Sequence, residues 1–215
     1  MRGLGFWVGA IAFIALAVGL TFLIGNEYPF FAGYIILQFV VLATAWNILG
    51  GYAGYVNFGT SAFFGLGVYT AVFMFKALGA PLPLQILAAG MVGAILGFGV
   101  GLLTLRMQGI FFSIATIAMT IIVETVIINW KFVGGASGIQ MIRPAAMFPF
   151  DSYIKMLFVF GAVMVVISIA CARYIESSWI GRGLRAIRDD EMAAECSGVP
   201  ISISDFSESV AVGQA

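Results

Sequence analysis

Long apolar stretches, separated by short polar connections, run through most of the chain. The stretches long enough to cross a bilayer as helices are residues 6–24, 31–50, 58–75, 84–105, 110–130 and 156–172. A hydrocarbon core of about 30 Å needs about 20 apolar residues in a helix, because the backbone has no water to bond there. Strict apolar–polar alternation is absent, which argues against a β-barrel. The pattern predicts an all-α, polytopic membrane protein with about six transmembrane helices.

The composition agrees with this class. Apolar residues make up 62% of the 215 residues and charged residues 9%, where about a quarter is usual in soluble domains. The formal net charge is zero, which excludes a nucleic-acid-binding protein, since that class needs a basic excess. Glu124 is the one charged residue inside the predicted spans.

The chain contains no histidine, the commonest general base and transition-metal ligand. We therefore expect no metal site and no cofactor bound by this chain. Hydrolysis inside a membrane would need a nucleophile with its base, a carboxylate pair or a metal, so we do not expect an enzyme. Cys171 and Cys196 lack a CxxC neighbour and are interpreted as packing residues.

Arg2 before the first apolar stretch is also compatible with a signal peptide. The stretch is longer than a usual signal core, and Asn26-Glu27 follow without a small-residue cleavage site. We therefore interpret it as the first helix. The positive-inside rule favours both termini in the cytoplasm, because basic residues cluster after the last span, at Arg173, Arg182, Arg185 and Arg188.

Two glycine patterns stand out within the spans. Glycines at 50, 51, 54, 59, 65 and 67 surround Asn57, and each costs a helix interior roughly 1 kcal/mol. This segment predicts a broken or re-entrant helix that lines a cavity, with close packing of small residues as the alternative. Gly93, Gly97 and Gly101 form a stripe that predicts helix–helix packing.

The residues after the last span predict a short amphipathic helix. Ile180, Leu184 and Ile187 recur at helical spacing, and the arginines occupy another face. Such a helix could lie on anionic lipid or dock a soluble partner. We divide the chain into a transmembrane core over 1–174, a cytoplasmic coupling segment over 175–200 and a polar tail over 201–215, which we expect to be disordered.

Four blocks together resemble the LivM-type permeases of branched-chain amino acid ABC importers. They are residues 51–70, residues 105–116, Asn129-Trp130 with the glycine-rich residues 134–138, and residues 181–198. Their order and spacing are similar to the family's over roughly residues 30 to 200. The resemblance implies a bacterial inner-membrane permease that pairs with a second permease subunit. Two cytoplasmic ATPases would supply ATP hydrolysis with Mg, and a periplasmic binding protein would deliver the substrate.

The resemblance also implies roles for particular residues. The ATPase-coupling loop of the family is similar to the segment containing Leu184, Arg185, Ile187, Ala193, Ala194 and Gly198, with Met192 where a glutamate is usual. Gly134, Gly135, Ser137 and Gly138 lie in the predicted outer loop and are expected to contact the binding protein or to form a turn. The candidate substrate-path residues are Tyr55, Asn57, Thr60, Ser61 and Glu124.

The end of the chain departs from the family pattern near Pro200. Family members are longer and have further spans after the coupling segment, so we expect a truncated or frameshifted product.

Three functions remain to be compared at this point. The leading hypothesis is uptake of branched-chain, aliphatic amino acids, driven by ATP on partner chains, since no GxxxxGK[ST] phosphate-binding motif occurs. A urea or short-chain amide importer would use a similar permease. An ATPase-independent carrier or channel would need a relay of intramembrane ionisable residues, for which Glu124 is the one candidate in the predicted spans.

Overall fold

The computed structural model describes residues 2–104, 107, 110–138 and 150–189. Its α-helices are α1 (Arg2–Leu23), α2 (Tyr28–Asn47), α3 (Thr60–Leu78), α4 (Leu82–Thr104), α5 (Ile110–Asn129), α6 (Tyr153–Ser177) and α7 (Trp179–Asp189). A π-helical segment, Ile48–Tyr52, extends α2, and two 3₁₀ turns, Lys131–Val133 and Gly135–Ser137, follow α5. Over these residues the chain has 6 helices long and apolar enough to span a membrane, which confirms the predicted all-α, six-span architecture.

The helices group into two compact units. Of the described residues, the first contains 2–48 and 150–182, and the second contains those within 49–138 and 183–189. Each unit contains three of the long helices, α1, α2 and α6 in the first and α3, α4 and α5 in the second. Helix α7 begins in the first unit and continues in the second.

Close helix packing in the first unit depends on two glycines. A Cβ atom on Gly33 of α2 would lie 2.7 Å from the Phe158 ring, and one on Gly161 of α6 would lie 3.5 Å from Tyr34. Phe30 and Phe158 add an edge-to-face ring contact with centroids 5.4 Å apart. Small residues at such crossings let two helices approach closely, and van der Waals packing holds helices together in a bilayer.

Lys155 changes the expected distribution of charge. Helix α6 begins at Tyr153 rather than at residue 156, so Lys155 belongs to the helix and is only 6% exposed. Its Nζ donates a 2.8 Å hydrogen bond to the carbonyl of Thr21. That carbonyl is in the last turn of α1, where the helix provides no partner of its own. The prediction that Glu124 is the one charge within the spans is therefore wrong.

The corner between α6 and α7 is formed by a cap and a glycine. The Ser178 hydroxyl accepts a hydrogen bond from the N–H of Gly181 over 3.3 Å, as an N-cap side chain does. Gly181 is buried, and a Cβ there would overlap the carbonyl of Ile175. The chain can turn into α7 at this point because residue 181 has no side chain.

Helices α3 and α4 pack together in the second unit, and α3 also contacts α5. Of the glycine stripe on α4, Gly97 lies against α3, where an added Cβ would meet the Phe63 ring at 3.7 Å. Added Cβ atoms on Gly93 and Gly101 would have nothing within 4 Å. Among the residues that the structure describes, the predicted helix contact is therefore seen at Gly97 and not at Gly93 or Gly101.

The segment that follows α5 is a compact turn held by aromatic side chains. The Phe73 ring of α3 contacts Trp130 and Phe132, with centroids 5.8 Å and 5.3 Å away, and Val133 is fully buried. Gly134 and Gly135 have φ values of +92° and +53°, a region that only glycine enters without strain. The two glycines allow the chain to fold back onto α3 and α5.

Candidate functional site

The helix break predicted from the glycine-rich segment is present. Residues 53–59 are unwound between the π-helical segment and the start of α3 at Thr60. Gly54 has a φ of +77°, a left-handed conformation that costs little for glycine. Irregular backbone at membrane depth is found where it lines a cavity or is buried in protein.

Hydroxyl groups on one face of α5 provide hydrogen-bond partners for the unwound backbone. Ser113 Oγ donates to the carbonyl of Val56 over 2.9 Å, and Thr116 Oγ1 accepts from the N–H of Phe58 over 3.2 Å. Thr120 Oγ1 lies 3.4 Å from the carbonyl of Phe58. An unpaired backbone group away from water is costly, so these side chains replace the bonds that the helix break removes.

A turn at the end of the unwound segment leads into α3. Asn57 Oδ1 accepts a 2.7 Å hydrogen bond from the N–H of Gly59, a local turn typical of asparagine. A Cβ on Gly59 would lie 3.0 Å from that oxygen and 3.6 Å from Thr116. A side chain at position 59 would therefore crowd the Asn57 side chain, whereas its distance to Thr116 would be an ordinary van der Waals contact.

A cavity of about 430 Å³ lies beside the second half of α5. We call it the Glu124 cavity. It is lined by Ser61, Ala62, Gly65, Tyr69, Thr120, Val123, Glu124, Ile127, Ile128, Gly135, Ala136 and Gly138. Hydroxyl groups and one carboxylate thus share the wall with aliphatic side chains and with the segment over residues 131–138, which we call the glycine turn.

A second cavity, of about 460 Å³, lies beside the first half of α5. We call it the Tyr55 cavity. It is lined by Leu49, Ala53, Tyr55, Asn57, Phe63, Gly97, Val100, Gly101, Met107, Phe112, Thr116, Leu184 and Ile187. The Tyr55 and Phe112 rings touch within it, with centroids 5.2 Å apart.

The unwound segment contacts α5 between the residues that line the two cavities. The N–H of Phe58 is bonded to Thr116, which lines the Tyr55 cavity. The carbonyl of Phe58 lies 3.4 Å from the hydroxyl of Thr120, which lines the Glu124 cavity and bonds more closely, at 3.0 Å, to the carbonyl of Thr116. Along α5 the lining residues run from Phe112 to Ile128, a distance of about 24 Å at 1.5 Å per residue. The cavities therefore lie toward opposite ends of the same helix.

Helix α7 contacts the helix break directly. Leu184 and Ile187 on its apolar face line the Tyr55 cavity. Arg188 Nη1 donates a 2.8 Å hydrogen bond to the carbonyl of Gly51 in the π-helical segment. The Arg188 side chain also covers Gly54, whose added Cβ would lie 3.0 Å from its Cγ.

Sequence comparison identifies the family. A sequence profile described as "Branched-chain amino acid transport system / permease component" matches residues 28–213, which include α2 to α7 and both cavities. The chain belongs to this family.

Two curated relatives agree with the assignment. The high-affinity branched-chain amino acid transport system permease protein LivM of Escherichia coli K12 is 24% identical over 214 residues, which covers 88% of this chain and 50% of that protein. LivM of Salmonella typhimurium LT2 gives the same identity and coverage. The chain thus spans about half the length of the curated relatives it matches. No solved structure matches the chain.

The candidate substrate-path residues of this permease fall into two groups. Tyr55 and Asn57 line the Tyr55 cavity, while Ser61 and Glu124 line the Glu124 cavity. Thr60 is the first residue of α3 and lines neither of these cavities. The five residues therefore do not form a single cluster.

The residues predicted for partner contacts have different surroundings. On α7, Arg185 is exposed, whereas Leu184 and Ile187 are half-buried against the Tyr55 cavity. Ala193, Ala194 and Gly198 lie outside the described residues. In the glycine turn, Gly135 and Gly138 line the Glu124 cavity, Gly134 provides a left-handed backbone, and Ser137 is exposed.

The sequence analysis missed several residues of the site. Ser113, Thr116 and Thr120 hold the unwound segment, Tyr69 lines the Glu124 cavity and Arg188 bonds Gly51. The hydroxyls at positions i, i+3 and i+7 of the fifth span were a readable signal, since this spacing places them on one helix face.

Proposed function

We propose that the chain is a permease subunit of an ABC importer that takes up branched-chain, aliphatic amino acids. Its partners are a second permease subunit, two cytoplasmic ATPases that bind ATP and Mg, and a periplasmic binding protein. The chain itself provides the membrane path and is not an enzyme. Family membership supports the transport role, and the names of the relatives support the substrate class.

The observation that carries the proposal is the direct contact of α7 with the helix break. An ATPase that moves α7 would move Leu184 and Ile187 in the wall of the Tyr55 cavity and Arg188 against the unwound segment. That segment contacts α5 between the residues that line the two cavities. Movement of α7 would therefore be transmitted to residues 53–59. Exchange of solute between the two cavities would depend on the position of this backbone.

The proposed orientation follows from the same arrangement. Helix α7 carries Arg182, Arg185 and Arg188 on exposed positions, and the positive-inside rule places such a cluster in the cytoplasm. The Tyr55 cavity then lies toward the cytoplasm and the Glu124 cavity toward the periplasm. In this orientation the glycine turn over the Glu124 cavity is the surface that a periplasmic binding protein would meet, and both termini are cytoplasmic in the bacterial plasma membrane.

The test is uptake of labelled leucine by cells that express the chain with its neighbouring permease, ATPase and binding-protein genes. Affinity purification from the same membranes measures whether the ATPases copurify. Because the chain spans about half of its relatives, the experiment is run with the chain as given and with any in-frame downstream extension. Uptake and copurification in either form support the proposal, and failure of both forms contradicts it.

Variant Arg185→Glu locates the ATPase contact. Arg185 is exposed on α7, so we expect the charge reversal to release the ATPases while the chain stays in the membrane. The matched control is Lys131→Glu, the same reversal on an exposed residue of the glycine turn, which should retain the ATPases. Retention of the ATPases by Arg185→Glu would show that the contact lies elsewhere.

A further inference from the structure

The Glu124 cavity combines features that select one chemical class of ligand. Its volume of about 430 Å³ is within the range of roughly 300–1,000 Å³ typical of small-molecule sites. Ala62, Val123 and Ile127 give it an aliphatic wall, and Ser61, Tyr69 and Thr120 contribute hydroxyl groups. The cavity thus suits a small molecule that has both an apolar side chain and polar ends.

Glu124 adds a negative charge to this wall. It lies within α5, and no lysine or arginine of the described part of the chain forms an ion pair with it. An ionisable side chain within a membrane-spanning helix is costly to maintain, and it faces a cavity or a partner where it occurs. Glu124 is exposed and lines the cavity, and a carboxylate in a cavity wall is complementary to a cationic group of a ligand.

We propose that the Glu124 carboxylate is the subsite for the ammonium group of the transported solute. The hydroxyls of Ser61 and Thr120 provide further hydrogen bonds, and Val123 and Ile127 contact the aliphatic side chain. This inference rests on the proposed function and deepens it, because it selects aliphatic solutes that carry an ammonium group over neutral amides such as urea. A urea-type solute presents no positive charge for the carboxylate to pair with.

Ligand protection of a cysteine in the cavity wall tests the subsite directly. Ser61→Cys is introduced with Cys171 and Cys196 replaced by alanine, in the assembled importer in nanodiscs without its binding protein. The rate of modification by uncharged methyl methanethiosulfonate is measured with leucine, with isoamylamine, which lacks the carboxylate, and with isocaproate, which lacks the ammonium group. We expect leucine and isoamylamine to slow the modification and isocaproate to leave it unchanged.

Variant Glu124→Gln, in the same Ser61→Cys background, identifies the carboxylate as the partner. We expect the concentration of leucine or isoamylamine needed for protection to rise about tenfold to a hundredfold, the loss that corresponds to one charge-assisted hydrogen bond. Glu124→Asp keeps the charge and should retain part of the protection. Thr125→Val is the control for helix α5. Among the described contacts, the Thr125 hydroxyl bonds only to the carbonyl of Ile121 in the same helix. Thr125 also does not line the Glu124 cavity.

The outcomes separate this inference from the proposed function. Three results would overturn the ammonium subsite and leave the proposed function in place. They are equal protection by isocaproate, unchanged protection of Glu124→Gln, and no protection by any ligand while the importer takes up leucine. Absence of leucine uptake by the importer would overturn the proposed function, whereas protection by amines alone would still support the subsite. If Glu124→Gln does not yield a monodisperse complex, the three ligands on the parent protein decide the question.

Discussion

Arg188 and Gly51 are joined by a hydrogen bond of 2.8 Å from the guanidinium Nη1 to the backbone carbonyl. Gly51 lies in the π-helical segment at the end of α2, where carbonyl groups lack helical partners. A positive charge is also favourable at a helix C-terminus. Arg188, a residue of α7, therefore provides the hydrogen-bond donor for a carbonyl at the end of the helix that α2 begins. The bond connects α7 to the backbone beside the Tyr55 cavity.

Replacing Arg188 by alanine should impair transport without preventing assembly. Arg188 is exposed, so we expect the free energy of unfolding to change by less than about 1 kcal/mol. Loss of its bond to Gly51 should lower leucine uptake by about tenfold, within the usual range for the coupling of two sites. Uptake and ATPase copurification are measured together. Arg182→Ala, which removes a bond to Ser177 at the α6–α7 corner, should retain uptake, and equal losses in both variants would contradict the role of Arg188.

Thr116→Val should destabilise the unwound segment. Thr116 is 2% exposed, and valine preserves its shape but cannot accept the N–H of Phe58. Leaving that part-buried donor without a partner costs up to about 1–3 kcal/mol, measured as a lower melting temperature in detergent. Thr116→Ser restores the hydroxyl and should recover most of the stability. Thr125→Val is the comparison, and if it loses as much stability as Thr116→Val, the effect does not arise from the bond to Phe58.

Gly54→Ala should also weaken the break, for a conformational reason. Residue 54 has a φ of +77°, which costs a residue with a Cβ about 1–2 kcal/mol, and the new atom would lie 3.0 Å from Arg188 Cγ. We expect lower thermal stability together with reduced uptake. Gly90→Ala is the control, because that glycine is in helix α4 with nothing within 4 Å of an added Cβ. A stable, active Gly54→Ala variant would show that this backbone conformation is dispensable.

Lys155→Met should destabilise the first unit. The variant removes the donor to the Thr21 carbonyl and the positive charge that lies 5.6 Å from the centre of the Phe30 ring. We expect a loss of about 1–3 kcal/mol, because a buried acceptor at a helix end loses its charged partner. Thermal unfolding in detergent measures it. The control is Lys76→Met, which replaces an exposed lysine in the last turn of α3 and should change stability little. An equal loss of stability in both variants would indicate a general consequence of lost charge.

The sequence predicted the spans and the helix break because both depend on local composition. Apolar length determines which stretches cross the membrane, and the glycines around Asn57 mark where a helix cannot continue. The position of Lys155 was missed because the sixth helix begins at Tyr153. Its buried partner, the Thr21 carbonyl, is 134 residues away in the chain. Such a partner makes a lysine acceptable inside a transmembrane helix, a position from which hydropathy alone would exclude it.

The grouping of the site residues could not be predicted from spacing. Asn57 and Ser61 are close in the sequence, yet they line different cavities because the turn at Gly59 and the bonds of Phe58 to α5 lie between them. Leu184 and Ile187 join Tyr55 through tertiary contacts that helical periodicity does not specify. Local patterns thus identified residue types and faces, and long-range packing determined which of them meet.

The unwound backbone that contacts α5 between the two sets of cavity-lining residues is held there by hydroxyl groups, and this has a thermodynamic consequence. Moving residues 56–58 away from α5 would break the bonds of Ser113 and Thr116 while exposing little additional apolar surface, because Val56 and Phe58 are already exposed. The heat capacity of unfolding reflects mainly apolar exposure, so this opening should have an activation enthalpy that varies little with temperature. An Arrhenius plot of the opening rate would then be nearly straight, in contrast to the curved plot of a process that opens a hydrophobic core.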